Sequence, residues 1–321
     1  MDTNLILQGF GTWMLAPMQF FSFLGTEQFY LFIAPGLLWC LDARLGLRMG
    51  LGLAISSSVN SILKLVLHSP RPYWVSQGVQ ALAAETSFGI PSGHAQNAVV
   101  VWGLLAAWIR KTWAWVVAIL LMLMIGLSRL YLGVHFLGDV LAGWLVGALI
   151  LLAILRLERP ILAWLNRFPV SGQIMAALIA SLAPIFLGML AKLPLSGWFV
   201  PGPWASLAAR APDAVALDPL KLSGLVSQAG VFFGLAMGGI LLKRIGWFDA
   251  RGPALQRVLR YLIGLVGVLA IYSVLGAFFP SGEGPIPYLL RYLRYALIGL
   301  WIAFLAPWLF IRMQLAHKGL I

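Results

Sequence analysis

The chain has 321 residues, of which 61% are hydrophobic and only 10% are charged, and its mean hydropathy is +0.92. This composition excludes a soluble globular domain and is typical of a protein that resides in a bilayer. The net charge of +12 does not indicate nucleic-acid binding, because the basic residues are scattered singly or in pairs at the ends of apolar runs. The single cysteine, Cys40, excludes an internal disulfide and a thiolate metal site.

Apolar runs long enough to cross about 30 Å of hydrocarbon recur along the chain and predict an all-α, polytopic membrane protein. About nine spans are predicted, at 27–42, 48–69, 94–110, 113–131, 136–156, 171–192, 222–243, 254–279 and 286–312. Residues 4–24 are apolar but interrupted by Gln8, Thr12, Pro17 and Gln19, so they form either a first span or an interfacial helix. The N-terminus has no basic run and no cleavage signature, so no removable signal peptide is predicted.

Basic residues alternate between the predicted loops and therefore predict the orientation of the chain, because short cytoplasmic loops collect Lys and Arg. The residues assigned to the cytoplasmic side are Arg44, Arg48, Arg110, Lys111, Arg156, Arg159, Arg167, Lys243, Arg244, Arg251, Arg312 and Lys318. The chemically reactive residues described next lie at the opposite ends of their spans. The predicted site therefore opens on the non-cytoplasmic face of the cell (inner) membrane.

Three short signatures follow one another between residues 64 and 139. They are Lys64 with Arg71-Pro72, then Pro91-Ser92-Gly93-His94, then Ser128-Arg129 with His135 and Asp139. Three cations, two histidines, one carboxylate and a glycine turn are the groups that metal-free phosphoryl transfer through a histidine nucleophile requires. Their joint occurrence predicts a phosphate-handling active site.

The third signature contains a candidate nucleophile. His135 and Asp139 are four residues apart, so they share a face if the span is already helical there. A carboxylate that binds one ring nitrogen fixes the tautomer and leaves the lone pair of the other nitrogen free to attack phosphorus. Without the other signatures, a helix-end histidine with a structural partner would be the better interpretation.

The remaining candidates are predicted to bind phosphate. Ser92-Gly93 precedes the third predicted span, where backbone N–H groups attract anions, although Ser92 is equally an ordinary helix cap. Lys64, Arg71 and Arg129 would hold the phosphate oxygens; membrane-edge anchoring is the alternative for either arginine alone. Lys64 lies inside an apolar span and requires a partner or a wet cavity. Ser128 is an additional candidate donor.

These signatures resemble the type 2 phosphatidic acid phosphatase superfamily, which includes lipid phosphatases, glucose-6-phosphatase and vanadium haloperoxidases. The resemblance covers Lys64 to Asp139 and matches the family pattern throughout. It implies a phosphohistidine intermediate on His135, His94 as general acid, and Ser92 and Gly93 as phosphate ligands. The flanking segments 25–30 and 88–89 look more similar to the branch that contains sphingosine-phosphate phosphatases.

The signatures also divide the chain. Residues 1–156 hold all of them and are predicted to form a catalytic bundle, while 157–321 form an accessory bundle of unknown role. Residues 73–90 are interpreted as a short amphipathic surface helix that shapes substrate access, or as a structural lid, and 193–221 as another cover. Arg257 to Tyr261 and Arg291 to Tyr295 are similar; they serve as interfacial anchors or bind a lipid phosphate.

The sequence therefore predicts a metal-independent membrane phosphatase that hydrolyses a lipid phosphate monoester or diphosphate. The expected partners are that substrate and membrane lipids, and neither a cofactor nor nucleic acid is expected. No cluster of carboxylates, Walker loop or Cys/His framework is recognisable. His68 and His317 receive no role. The alternatives are a phosphotransferase with the same intermediate and a transporter without hydrolysis, with Lys64 as a substrate-binding charge.

Overall fold

The computed structural model describes residues 2–280 and 282–319, and within them the chain is helical apart from loops and one isolated bridge between Phe248 and Lys318. The predicted all-α class is confirmed. The helices are α1 Asp2–Gln8, α2 Leu15–Phe23, α3 Glu27–Cys40, α4 Ala43–Leu67, α5 Pro72–Val75, α6 Gly93–Ile109, α7 Thr112–Tyr131, α8 Leu137–Leu165, α9 Val170–Lys192, α10 Gly202–Ala208, α11 Ser223–Arg244, α12 Ala254–Phe278, α13 Pro285–Leu300 and α14 Ala306–Arg312. A π-helical turn, Trp301–Leu305, joins the last two.

Seven helical segments of the described chain are long and apolar enough to cross a membrane, so the chain is a multi-pass membrane protein. They are Ala43–Val75, Thr112–Tyr131, Leu137–Leu165, Val170–Leu195, Ser223–Arg244, Ala254–Phe278 and Pro285–Arg312. The other two predicted spans correspond to α3 and α6, which are helical but shorter, with 14 and 17 residues. Residues 4–24 are not one span, because the chain breaks between α1 and α2 at Gly11, whose φ is 94°.

The chain forms two compact units. The first unit comprises the residues up to 29, 59–152 and 187–221, and the second comprises 30–58, 153–186 and the residues from 222 onward. All three signatures lie in the first unit. The predicted division at residue 156 concerns function and stays a prediction.

Residues 73–90 are the main departure from the predicted elements in the first unit. Only the first three of these residues, which end α5, are helical, and the segment continues as an irregular, partly buried chain. The predicted amphipathic helix is wrong because side chains supply the backbone hydrogen bonds: Gln8 binds both the N–H and the carbonyl of Gln80, at 3.0 and 2.9 Å. The Tyr73 hydroxyl does the same for Glu85.

Residues 193–221 pack against this irregular chain. The Trp198 ring lies 5.3 Å from that of Phe88, and the Trp204 ring lies 5.9 Å from that of Trp74, measured between centroids. The Asp218 N–H donates to the Thr86 carbonyl at 3.2 Å. The segment therefore covers part of residues 73–90, through aromatic ring pairs and a backbone hydrogen bond.

In the second unit, α11 and α13 approach closely through small residues. A Cβ atom on Gly299 would lie 2.6 Å from the Val231 carbonyl oxygen, so only glycine fits there. The Arg260 side chain is fully buried and donates to the carbonyls of Asp249, Ala250 and Arg251 at 3.1, 2.7 and 3.2 Å. Arg260 therefore fixes the loop before α12, which argues against its binding a lipid phosphate.

Candidate active site

The three signatures converge in the first unit at one end of four helices. Lys64 lies near the end of α4 and Arg129 near the end of α7, while His94 and Asp139 lie in the first turns of α6 and α8. The loops between these helices carry the rest. The backbone N–H of Ser92 donates to the Asp139 carbonyl at 2.9 Å, which ties the start of α6 to the start of α8.

The candidate nucleophile and its carboxylate partner are in contact, but they do not share a helical face. His135 precedes α8, which begins at Leu137. The Asp139 Oδ2 lies 3.3 Å from His135 Nδ1 and accepts the Phe136 N–H at 2.9 Å. The Asn4 amide donates to the His135 carbonyl at 3.0 Å and thereby fixes the backbone of His135. The contact therefore arises from a helix entry turn, and not from the helical spacing that the sequence suggested.

The two ring nitrogens of His135 face different partners, and these partners assign the tautomer. An ionised carboxylate accepts only, so the proton belongs on Nδ1 facing Asp139. His135 Nε2 lies 3.2 Å from Arg71 Nη1, a donor, so Nε2 carries the lone pair. The ring is 1% exposed, and burial, reinforced by Arg71 and Arg129, holds the pKa of His135 well below its usual value. His135 is therefore neutral near pH 7.

Arg71 is held by backbone oxygens. Its Nε donates to the Ser87 carbonyl at 2.7 Å, Nη1 to the Val134 carbonyl at 2.9 Å and Nη2 to the Phe88 carbonyl at 3.1 Å. The side chain is completely buried. This argues against membrane-edge anchoring, because a snorkelling arginine keeps its head in water.

The other two cations also have internal partners. Lys64 Nζ donates to the Ser87 hydroxyl at 2.9 Å, which provides the partner that a lysine inside an apolar span requires. Arg129 is 3% exposed and its Nη1 donates to the Ser22 hydroxyl at 2.5 Å. The three cations thus surround residues 85–88. Their positive charges would repel one another if no anion were present.

The Pro-Ser-Gly-His turn forms the start of α6. The Ser92 hydroxyl accepts the Ala95 N–H at 3.5 Å and caps the helix, and the Asn60 amide donates to the Pro91 carbonyl at 3.1 Å. A Cβ atom on Gly93 would lie 3.1 Å from Asn60 Oδ1, so the turn and α4 are in close contact. The N–H groups of this turn point in the direction that favours an anion at the helix N-terminus.

Two remaining residues of the signatures, His94 and Ser128, both lie close to Ile125. His94 packs beside Gly25, where an added Cβ would lie 3.1 Å from the His94 Cδ2 and 2.7 Å from a methyl group of Ile125. Ser128 is fully buried, and its hydroxyl donates to the Ile125 carbonyl at 2.7 Å. The proton of Ser128 is therefore used within its own helix, and a contact with phosphate stays a prediction.

Glu85 is a site residue that the sequence did not identify. Its Oε1 accepts a short bond from Arg129 Nη2, and its Oε2 lies 3.5 Å from Arg71 Nη2. Burial alone would raise the pKa of Glu85, but Arg71 and Arg129 hold that pKa well below its usual range. No spacing rule indicates this residue. Asn4 and Ser22 were missed as well, although polar side chains within the apolar segment 4–24 were a usable signal.

Within residues 2–280 and 282–319, no group of three or more His, Cys, Asp or Glu side chains could hold a metal ion. The groups that surround the site are instead three cations, two imidazoles and two carboxylates. Metal independence stays a prediction for the reaction itself.

Comparisons with known protein families match most of the chain in two segments. Residues 45–161 match the family described as PAP2 superfamily, and residues 226–318 match the one described as PAP2 superfamily phosphatase, transmembrane extension. The first match contains the three signatures. No solved structure gives a significant match.

Several characterised relatives are phosphatases. Phosphatidylglycerophosphatase B of Bacillus subtilis is 30% identical over 151 residues, which is 43% of this chain and 72% of that protein. Sphingosine-1-phosphate phosphatase 2 of Homo sapiens is 33% identical over 141 residues, which is 41% of this chain and 35% of that protein. Glucose-6-phosphatase 2 of Mus musculus is 25% identical over 306 residues, which is 84% of this chain and 82% of that protein.

Proposed function

The chain belongs to the PAP2 superfamily, and on this premise we propose that it is a membrane phosphatase that hydrolyses a lipid phosphate through a phosphohistidine on His135. The observation that carries the proposal is the orientation of the His135 ring, with Nδ1 toward Asp139 and Nε2 toward Arg71. A neutral imidazole with its lone pair directed into a cationic pocket is a nucleophile prepared for phosphorus.

In the first step, His135 Nε2 attacks phosphorus, the P–N bond forms and the P–O ester bond breaks. The leaving alkoxide takes a proton from His94. Asp139 stabilises the charge that develops on the His135 ring through Nδ1–H. Lys64, Arg71 and Arg129 compensate the charge on the equatorial oxygens in the pentavalent transition state.

In the second step, water attacks phosphorus and the P–N bond breaks. Neutral His94 now accepts a proton from that water, the reverse of its first role. Ser92 contributes its hydroxyl and Gly93 its backbone N–H at the start of α6 to the phosphate oxygens. Because the cations already supply the positive charge, this mechanism requires no metal ion.

Lipid substrates are supported by the seven apolar helical segments and by relatives named for lipid phosphates. We infer a site on the non-cytoplasmic face of the cell membrane, because the basic loops lie at the opposite helix ends. On the same reasoning, residues 1–156 carry the chemistry and 157–321 form an accessory bundle.

A water-soluble phosphate ester is the second candidate substrate. The match to glucose-6-phosphatase 2 extends over 84% of this chain, well beyond the three signatures, and favours this candidate. The chemistry at His135 is unchanged in either case. Only the group esterified to phosphate differs.

The test is release of inorganic phosphate by purified protein in detergent from lipid phosphates, lipid diphosphates and glucose 6-phosphate, with EDTA present. We expect release by the wild type and a loss of at least about a thousandfold in His135→Ala. His317→Ala, outside the site, is the matched control and should retain activity.

Product analysis in the same assay separates hydrolysis from transfer to another acceptor. Activity that EDTA abolishes and magnesium restores would contradict the metal-free mechanism. Absence of release from every substrate would favour transfer or transport.

A further inference from the structure

Glu85 places a carboxylate against the two arginines that the proposed mechanism assigns to phosphate. One of its oxygens bonds to Arg129 and the other lies 3.5 Å from Arg71. The Glu85 side chain is 26% exposed, whereas the side chains of Arg71 and Arg129 are 0% and 4% exposed. The glutamate is thus the solvent-accessible member of the ion-pair cluster.

A cavity of about 530 Å³ reaches this glutamate from the surface. Its lining consists of residues 82–86, which include Glu85, together with Gln19, Pro212, Asp213 and Val215. None of these lining residues is a cation, so Glu85 stands between this space and the two arginines, and the cavity offers a volume next to its side chain.

The backbone of Glu85 is fixed by hydrogen bonds, whereas its side chain borders the cavity. The Tyr73 hydroxyl accepts the Glu85 N–H at 2.9 Å and donates to the Glu85 carbonyl at 3.0 Å. Rotation about the side-chain torsions of Glu85 would carry the carboxylate away from the arginines without moving the chain.

The charge of the incoming ligand decides whether this rotation occurs. A carboxylate and a phosphate repel each other strongly at close range in a partly buried site, so they cannot share the arginines. A phosphate dianion offers two charges and three oxygens to Lys64, Arg71 and Arg129, and it binds guanidinium groups bidentately. A phosphodiester carries one charge, as Glu85 does, and gains no such advantage.

We propose that Glu85 is a specificity gate: its carboxylate occupies the anion position between Arg71 and Arg129 until a phosphate dianion displaces it into the cavity. The inference rests on the proposed function and deepens it by naming the residue that selects the substrate by its charge. The gate admits dianionic phosphate monoesters and diphosphates and rejects monoanionic phosphodiesters. This selection matters in a bilayer, where most phospholipid headgroups are phosphodiesters and surround the enzyme in excess.

The test is a calorimetric titration of the full-length protein in a phosphate-free sugar detergent with inorganic phosphate and, separately, with dimethyl phosphate. Glu85→Gln removes the charge and keeps the size of the side chain. We expect this variant to bind inorganic phosphate at least about tenfold more tightly than the wild type and to bind dimethyl phosphate measurably. Asp213→Asn removes a carboxylate from the same cavity lining and should change either affinity by less than about twofold.

Glu85→Asp is a second variant that keeps the charge but shortens the side chain, and it should fall between the wild type and Glu85→Gln. Equal or weaker phosphate binding by folded Glu85→Gln would overturn the gate and make Glu85 a residue that positions the arginines. The expected affinities without any hydrolysis would overturn the proposed function alone. No phosphate binding by any of these proteins would overturn both.

Discussion

Arg71 in the first unit and Arg260 in the second are both fully buried arginines, and both donate to three backbone carbonyls. Their partners differ in origin. The partners of Arg260 come from one turn, 9 to 11 residues before it in sequence. Those of Arg71 come from two segments 16 to 64 residues away and include the His135 ring.

The role of a buried arginine follows from the chemistry of its partners. Arg260 satisfies carbonyls that would otherwise be left unpaired in the loop before its own helix. Arg71 instead joins segments of the first unit and presents a guanidinium to two groups that change state, Glu85 and His135. Burial alone does not separate the two roles, whereas the chemistry of the partners does.

The largest expected effect comes from Asp139→Asn. The amide cannot stabilise charge on His135 and can favour the wrong tautomer, so kcat should fall by about a thousandfold to ten-thousandfold with little change in KM. The measurement is steady-state phosphate release. Asp249→Asn breaks an exposed ion pair with Arg251 in the second unit and serves as the control. Similar losses of kcat in both variants would contradict the assignment of the chemistry to the first unit.

A smaller loss is expected for Arg71→Lys, because lysine keeps the charge but loses the planar fork that binds Ser87, Val134 and Phe88. We expect kcat/KM to fall by about a hundredfold. Arg260→Lys should lower the free energy of unfolding by about 1–3 kcal/mol and leave kcat/KM of the folded protein within about twofold. Kinetics and thermal unfolding measure both effects. A reversed pattern would contradict the assignment of the two arginines.

Gly25→Ala tests the support of His94. The new methyl group would lie 2.7 Å from Ile125 and 3.1 Å from His94, so the Ile125 side chain has to shift and the imidazole has to give by a few tenths of an ångström. We expect kcat to fall by about tenfold. Gly138→Ala is the matched control in the same unit, since a Cβ there meets nothing within 4 Å. Equal kcat in Gly25→Ala and wild type would show that the position of His94 is not restricted by this contact.

The smallest expected effect is in the pH profile. Burial, with Arg71 and Arg129, lowers the pKa of His135 below its ordinary value of 6.5, so the neutral ring persists as the pH falls through 6.5. The decrease in kcat/KM that belongs to His135 should therefore begin below pH 6.5. The profile is measured from pH 4 to 8 and corrected for ionisation of the substrate phosphate. An acidic limb of kcat/KM with its midpoint above pH 6.5, present also in Glu85→Gln, would contradict a neutral His135.

The same pKa has a consequence for stability. Between the lowered pKa of folded His135 and 6.5, the unfolded chain binds a proton that the folded protein does not. Stability contributed by the neutral ring is therefore present above pH 6.5 and is lost as the pH falls below it. Glu85 acts in the same direction at lower pH, because its folded pKa is also below the ordinary value of 4.5.

The sequence predicted the membrane class, most of the spanning helices and the residues that gather in the first unit, because hydropathy and fixed spacing are local signals. It did not predict Glu85, Asn4 or Ser22, whose partners lie 44, 131 and 107 residues away. The helix expected within 73–90 fails for a related reason. Tyr73, Gln8 and Arg71 take over its backbone hydrogen bonds, and no local pattern reports side chains from elsewhere.

In the proposed mechanism, His135 carries the phosphoryl group between substrate and water. The stereochemistry of hydrolysis tests this role. The substrate is a lipid phosphate made chiral at phosphorus by oxygen isotopes and one sulfur atom. Two in-line displacements, first by His135 and then by water, predict retention of configuration in the released phosphate. Inversion would show a single direct attack by water and would contradict the phosphohistidine mechanism.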